Sequence, residues 1–257
     1  MRVEKWYLDC VTADGAGMIG YAARISFGPL ALRCSGTLRW HDGDQGAVNR
    51  TVLGGQLPTA TPAGVSWHNQ AVDAHGEWTA RGVGLPAIVL HEEAAGRIEW
   101  TCFCPASQAV VNVDGEPREG LGYAERLVMT LPPAQMPIRE LRWGRFIADG
   151  QSCVWIRWRG PKERSWCFHN GRPVDAAMPD SRTLAWGGHR LDLGPGTNLR
   201  AGRIADTAFQ HSGLLRRLVP AAVRDIEETK WCSRGVLTDT NRREHAGWAI
   251  HEVALWP

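Results

Sequence analysis

The 257-residue chain lacks any apolar run near the roughly 20 residues that cross a bilayer as a helix, so no integral membrane segment is expected. Its first residues, Met1-Arg2-Val3-Glu4-Lys5-Trp6, place no apolar core behind the basic residue, which argues against a cleaved signal peptide. No block of like charge occurs and the net charge is only +2, so nothing points to nucleic acid. No Cys-x-x-Cys, His-Glu-x-x-His or comparable ligand spacing is present, which argues against a metal centre or a thioredoxin-type site. The clusters His91-Glu92-Glu93 and Asn241-Arg242-Arg243-Glu244-His245 read as solvated turns. The glycines of 17–20 and of Gly194-Pro195-Gly196 do not stand between a strand and a helix, as a phosphate loop requires. Ser35 lacks the flanking glycines of a nucleophile elbow, so a hydrolase is not supported. Tyrosine and phenylalanine are scarce, at 3 and 5, whereas tryptophan numbers 13, enough to line a pocket as well as a core.

What is present is alternation. Ile19, Tyr21, Ala23, Ile25 and Phe27 share one strand face, followed after Gly28-Pro29 by Leu32, Cys34, Gly36 and Leu38. His41-Asp42-Gly43-Asp44-Gln45-Gly46 and Asp73-Ala74-His75-Gly76 read as turns. Asp114-Gly115 and Asn170-Gly171 are strong hairpin signals. Val154, Ile156 and Trp158 oppose Trp155, Arg157 and Arg159, and the run 248–256 alternates again. Only Leu214, Leu215, Leu218, Val219, Ala222, Val223 and Ile226 follow helical spacing, after a cap at Ser212 and broken by Pro220. The seven cysteines are an odd, scattered set, expected as reduced thiols in a cytoplasmic protein. Cys102 and Cys104 are expected on one strand face, with Pro105 ending the run.

A dozen or more short strands with one helical element predict an all-β protein of barrels or sandwiches. The division is placed near 114–120, giving a first β-domain over 1–115 and a second over 116–257, with the helix near 213–230.

The opening Gly122-Tyr123, the acid Glu125, the triplet Trp143-Gly144-Arg145 and the strand 153–159 together resemble the carotenoid 1,2-hydratase (hydroxyneurosporene synthase) superfamily. AttH-like proteins and fungal decalin-forming cyclases are related to it. In that family's motif, Gly-Tyr-His-Asp-His-Asn-Trp-Gly, Tyr123 matches the tyrosine and Glu125 the aspartate, while Ala124 and Arg126-Leu127 depart from it and the closing Trp-Gly is absent. The resemblance implies two lipocalin-like antiparallel β-barrels or half-barrels packed together. It also implies a small apolar, polyene-like or terpenoid molecule as partner, though some members of the family have no known activity.

Adding a proton to an alkene needs an acid kept protonated, aromatic walls that tolerate positive charge, and little water. Read as a strand, Tyr123, Glu125, Leu127 and Met129 share a face, and a carboxylate there must be paired, protonated or wet. Glu125 is the candidate donor, Tyr123 its assistant, and Arg145 its orienting or neutralising partner. A Glu125–Arg145 ion pair is the favoured structural reading, since buried acids are usually paired. Trp143, Trp155 and Met129 are candidate substrate walls, joined by Trp248 and Glu252 on the last strand. Glu252 reads first as an ordinary edge-strand charge and second as half of an acid/base pair. The expected function is a cofactor-independent hydratase, isomerase or cyclase acting on an isoprenoid or polyketide-like substrate. The alternatives are a non-catalytic carrier or sensor of an apolar ligand, and a packing module.

Overall fold

The computed structural model describes residues 1–41, 46–178, 182–209, 213, 217 and 219–257. Ten strands form the first antiparallel sheet: β1 (Arg2–Val11), β2 (Gly17–Phe27), β3 (Leu30–Trp40), β4 (Val48–Leu53), β5 (Thr59–Thr61), β6 (Gly64–Asn69), β7 (Ala74–Ala80), β8 (Ile88–Glu93), β9 (Gly96–Val113) and β10 (Glu116–Met129). Their order is β4-β3-β2-β1-β10-β9-β7-β6-β5, with β8 also on β9. The second sheet contains β11 (Glu140–Ala148), β12 (Gln151–Arg159), β13 (Arg164–His169), β14 (Arg172–Pro173), β15 (Thr183–Trp186), β16 (His189–Arg203), β17 (Glu227–Thr238) and β18 (Glu244–Leu255). It runs β14-β13-β12-β11-β18-β17-β16-β15. The all-β, double lipocalin-like expectation holds.

Both hairpin signals act as expected. Asp114 and Gly115 have φ of 51° and 80°, and Asn170 and Gly171 have 49° and 76°. Positive φ at both central residues turns the chain tightly with the twist of the flanking strands. The β9–β10 hairpin lies wholly in the first sheet, so the expected division at 115/116 falls inside a hairpin. The chain passes to the second sheet later, through the Pro-rich connection between β10 and β11. The turn predicted at 73–76 comes earlier, because a 3-10 turn at Gln70–Val72 ends on Asp73 and β7 starts at Ala74.

Helix appears as the single turns α1 (Ile204–Thr207) and α2 (Ala221–Arg224), and the described residues Gly213 and Arg217 between them are also helical. Ser212, Leu214, Leu215 and Leu218 of the expected helix lie outside the described residues. That helix does not extend to 230, because β17 begins at Glu227. No described helix is long and apolar enough to cross a membrane.

Alternation sorts the side chains into three apolar layers. Trp6, Leu8, Cys10, Trp67, Trp78 and Val111 fill the inside of the curled first sheet. Phe146, Trp155, Trp186, Leu191 and Leu237 fill the inside of the second. Curling is tight enough that a Cβ on Gly20 of β2 would stand 2.5 Å from the Trp67 ring of β6. The opposite faces meet between the sheets, where Tyr7, Trp100, Tyr123, Trp143, Ile147, Trp158, Phe168 and Ile250 share a third layer. Most tryptophans therefore serve as packing, and Trp40, Trp67 and Trp78 spend their indole N–H on backbone carbonyls of Gly15, Gln56 and Asp9.

Candidate functional site

β10 carries the acid into the layer between the sheets. Glu125 lies opposite Tyr7 of β1 and Cys102 of β9, and Tyr123, Leu127 and Met129 face the same layer. The register between β9 and β10 shifts on either side of Ala124, leaving extra β9 residues around Phe103 and Pro105. Such a bulge tolerates a proline, so Pro105 interrupts the pairing without ending the strand. The shift also separates the two cysteines: Cys102 packs between the sheets and Cys104 inside the first. The expected shared face is thereby corrected. All seven cysteines are free thiols.

Glu125 has no cationic partner among the described residues within ion-pair distance. Three neutral donors hold it instead, all on Oε2: the Tyr123 hydroxyl at 2.6 Å, Trp100 Nε1 at 2.5 Å and Trp143 Nε1 at 3.2 Å. Oε1 accepts no hydrogen bond there, yet touches solvent-accessible space. Desolvation pushes the Glu125 carboxyl above its ordinary value, against the opposing hydrogen bonds of Tyr123 and Trp100. Oε2 takes all three donors, so Oε1 is the oxygen free to carry a proton. Burial raises the Tyr123 phenol well above its own ordinary value, so it stays a neutral donor. The ring of Trp143 meets Tyr123 and Tyr7 edge-on, at 5.7 Å and 4.9 Å between centroids.

Arg145 does not pair with Glu125. Its guanidinium grips Asp9 of β1 through Nη2–Oδ1 at 2.6 Å and Nε–Oδ2 at 3.1 Å, with Nη1 donating to the Trp248 carbonyl at 2.8 Å. Asp9 and Arg145 are both fully buried. Burial pushes the Asp9 carboxyl up against the pull of Arg145, while Asp9 holds the guanidinium charged against its own desolvation. The pair clamps one sheet to the other, two rungs from Glu125 along β1. The Trp143-Gly144-Arg145 triplet thus serves two faces. Trp143 and Arg145 point between the sheets, and Gly144 points inward, where a Cβ would collide with the Trp155 ring. Trp155 belongs to the second sheet's interior, away from Glu125, which removes it as a wall of this site.

Met129 and Trp248 do face the shared layer, Met129 buried and Trp248 partly so, but Trp248 lies toward the Asp9–Arg145 end with Arg234 4.2 Å above its ring. Glu252 is not on an edge: β18 lies between β11 and β17, and Glu252 stands opposite Trp143 on one side and Lys230 on the other. Its carboxylate contacts the Lys230 ammonium.

Lys230, Glu228 and Arg200 were not evident from the sequence as site residues. The only signal was at Glu228 and Lys230, charges two residues apart beside Trp231; nothing marked Arg200. Lys230, 2% exposed, lies 3.3 Å from Glu228, and Glu228 lies 3.5 Å from Arg200. Arg200 then donates to Asn49 of β4 at 3.1 Å. Burial pulls the Lys230 ammonium down to about 8, with Glu228 opposing. Desolvation of Glu228 is outweighed by Lys230, Arg200 and Lys5, which hold that carboxyl low. Lys230 Nζ sits 5.6 Å over the rings of both Tyr7 and Trp143. Glu125 and this charged ladder therefore both border the aromatic cluster of Tyr7 and Trp143. No three described His, Cys, Asp or Glu side chains are disposed to hold a metal.

No protein-family model matches the chain, and no curated protein matches it in sequence. Solved structures do. A protein of Nitrosomonas europaea assigned to AttH superposes with a TM-score of 0.60 at 12% identity, covering 98% of this chain and 92% of that one. CghA in complex with Sch210972 gives 0.60 at 11% identity, covering 99% and 88%. The chain shares the double-lipocalin fold of these structures. At these identities the likeness concerns fold, and the double-lipocalin frame hosts its chemistry in whatever side chains line the sheets.

Proposed function

We propose that this double-lipocalin protein is a cofactor-independent acid/base enzyme, a hydratase, isomerase or cyclase, acting on a small apolar, unsaturated molecule. The observation that carries this reading is Glu125: a desolvated carboxyl with no ion-pair partner among the described residues, its Oε2 taking three neutral donors and its Oε1 none. Asp9 and Glu228, by contrast, are each in ion-pair contact with a cation, whereas Lys5 acts on Glu125 only from beyond that distance. Oε1–H delivers the proton to an alkene carbon, and the resulting carboxylate is stabilised by Tyr123, Trp100 and Trp143. The electron-rich indole and phenol faces of Trp143 and Tyr7 stabilise the carbon that becomes cationic. Capture by water gives hydration, loss of a proton gives isomerisation, and attack by a second alkene gives a ring. CghA was solved with Sch210972, which fits a frame able to hold a small organic molecule.

The test begins with extraction of the purified protein and mass spectrometry of any copurifying molecule. Turnover of that molecule in heavy water is expected to place one deuterium on carbon. Glu125→Gln is expected to retain the molecule and lower turnover by at least a thousandfold. A variant as active as the original protein defeats the assignment, and binding without turnover in either form identifies a carrier.

A further inference from the structure

The β2–β3 hairpin ends in Phe27-Gly28-Pro29-Leu30-Ala31, all exposed and all uncharged. Phe27 and Leu30 lie opposite each other and are 53% and 73% exposed, an unusual pair of large apolar side chains to leave in water at a loop tip. Register places them on the same face as Tyr21, Ile25 and Leu32, which is the face turned toward Glu125. Between tip and acid lie the half-buried Ile25, Leu32, Val3, Ala23, Cys34 and Leu127. Lys5 also stands on this strip, with its ammonium 5.8 Å over the Tyr21 ring. Phe27 is six residues along β2 from Tyr21, the rung of Tyr7 and Glu125, a distance of about 20 Å. An apolar strip thus runs from an exposed tip to the acid.

The opposite face of the same strand ends carries three arginines and one acid, Glu4, which lies opposite Arg24. Arg24 and Arg33 are cross-strand neighbours, and Arg2 is one strand away opposite Ser26. All three are exposed, and none has an ion-pair partner among the described residues. From Gly15 to His41 the chain contains no acidic residue. Unpaired arginines beside an apolar tip complement a surface that is anionic outside and hydrocarbon within.

We propose that the β2–β3 hairpin tip docks on an anionic lipid surface, with Phe27 and Leu30 entering the apolar layer and Arg2, Arg24 and Arg33 meeting the headgroups. Docking places the mouth of the strip against the lipid, so that a membrane-dissolved substrate reaches Glu125 without crossing water. This delivery role rests on the function proposed above; the docking itself does not. The experiment is cosedimentation of the full chain with vesicles of phosphatidylcholine alone, or of equimolar phosphatidylcholine and phosphatidylglycerol. Binding is expected to the mixed vesicles, weakened by salt and by Arg24→Gln with Arg33→Gln. Phe27→Ser with Leu30→Ser is expected to lower it at least tenfold. Both sites are exposed, so the variants are expected to unfold like the original chain. Absence of binding by the original protein, or equal binding by the Ser variant, overturns the proposal. So does a dimer in analytical ultracentrifugation that the Ser variant dissociates, which would make a second copy the occupant. Glu125→Gln is expected to bind vesicles normally, and the Ser variant to turn over detergent-dispersed substrate, so failure of docking and failure of the acid assignment are separable.

Discussion

Replacing Glu125 by Gln removes a titration while keeping a shape. The amide oxygen of Gln accepts the same hydrogen bonds from Tyr123, Trp100 and Trp143, and its NH2 takes the place of Oε1, where no donor stands to oppose it. The carboxyl is held above its ordinary value of 4.5 in the folded chain by desolvation. In the interval between the unfolded and folded values the native state binds more protons than the unfolded state, so stability falls as pH rises. One group contributes a slope of at most about 1.4 kcal/mol per pH unit. The loss is complete once pH exceeds the folded value, and at that plateau the cost is about 1.4 kcal/mol for each unit of elevation. Glu125→Gln is therefore expected to match the original protein below pH 4.5, then gain on it through the acid-to-neutral range and level off. Urea unfolding at a series of pH values measures the difference directly. A variant that is less stable at neutral pH, with the deficit closing on acidification, would mean that the folded carboxylate is the favoured form. The proton-donor argument would then fail at its root.

Three further outcomes are expected. Tyr123→Phe removes one of the three hydrogen bonds holding Oε2 and is expected to cost about 1–2 kcal/mol while raising the Glu125 titration further, read from the carboxyl infrared band. Arg145→Met leaves the fully buried Asp9 without its cation and is expected to cost about 3–5 kcal/mol, whereas adding Asp9→Leu recovers part of it; a single-variant loss under about 1 kcal/mol in urea would remove the clamp. Gly144→Ala places a methyl inside the space of the Trp155 ring and is expected to cost about 1–3 kcal/mol, with altered near-ultraviolet circular dichroism.

The strands were legible because their signals are local. Asp114-Gly115 and Asn170-Gly171 need only their own positive φ to make a turn, and alternation at 123–129 needs only a strand to put Tyr123 and Glu125 on one face. What failed needed distant partners. Arg145 finds Asp9 across 136 residues, a pairing that no spacing near Trp143 encodes. Glu252 read as an edge charge because a last strand is often an edge, and only the sheet order sets β18 between β11 and β17. Trp155 was assigned to the wrong side because alternation tells which residues share a face but not which face looks at the acid. Cys102 and Cys104 were parted by a bulge that depends on how β9 meets β10.

The Glu125 environment is assembled from both sheets, and that bears on how the acid is kept neutral. Tyr123 and Trp100 come from the first sheet, but Trp143 comes from the second, and Tyr7 and Trp143 pack edge-on across the interface. An undocked first sheet would leave Glu125 facing water, where its carboxyl would ionise at an ordinary value. The elevated value is thus a property of the docked pair. The Asp9–Arg145 clamp supports it at one end of the layer, and the Arg200–Asn49 contact at another. Loosening the clamp should therefore lower the Glu125 titration without touching any of its hydrogen-bonding groups. A fold in which each sheet buries its own interior can change the residues of the shared layer at little cost to either core. That separation lets the shared layer vary while the two cores hold the frame, consistent with a fold kept at 11–12% identity to its neighbours.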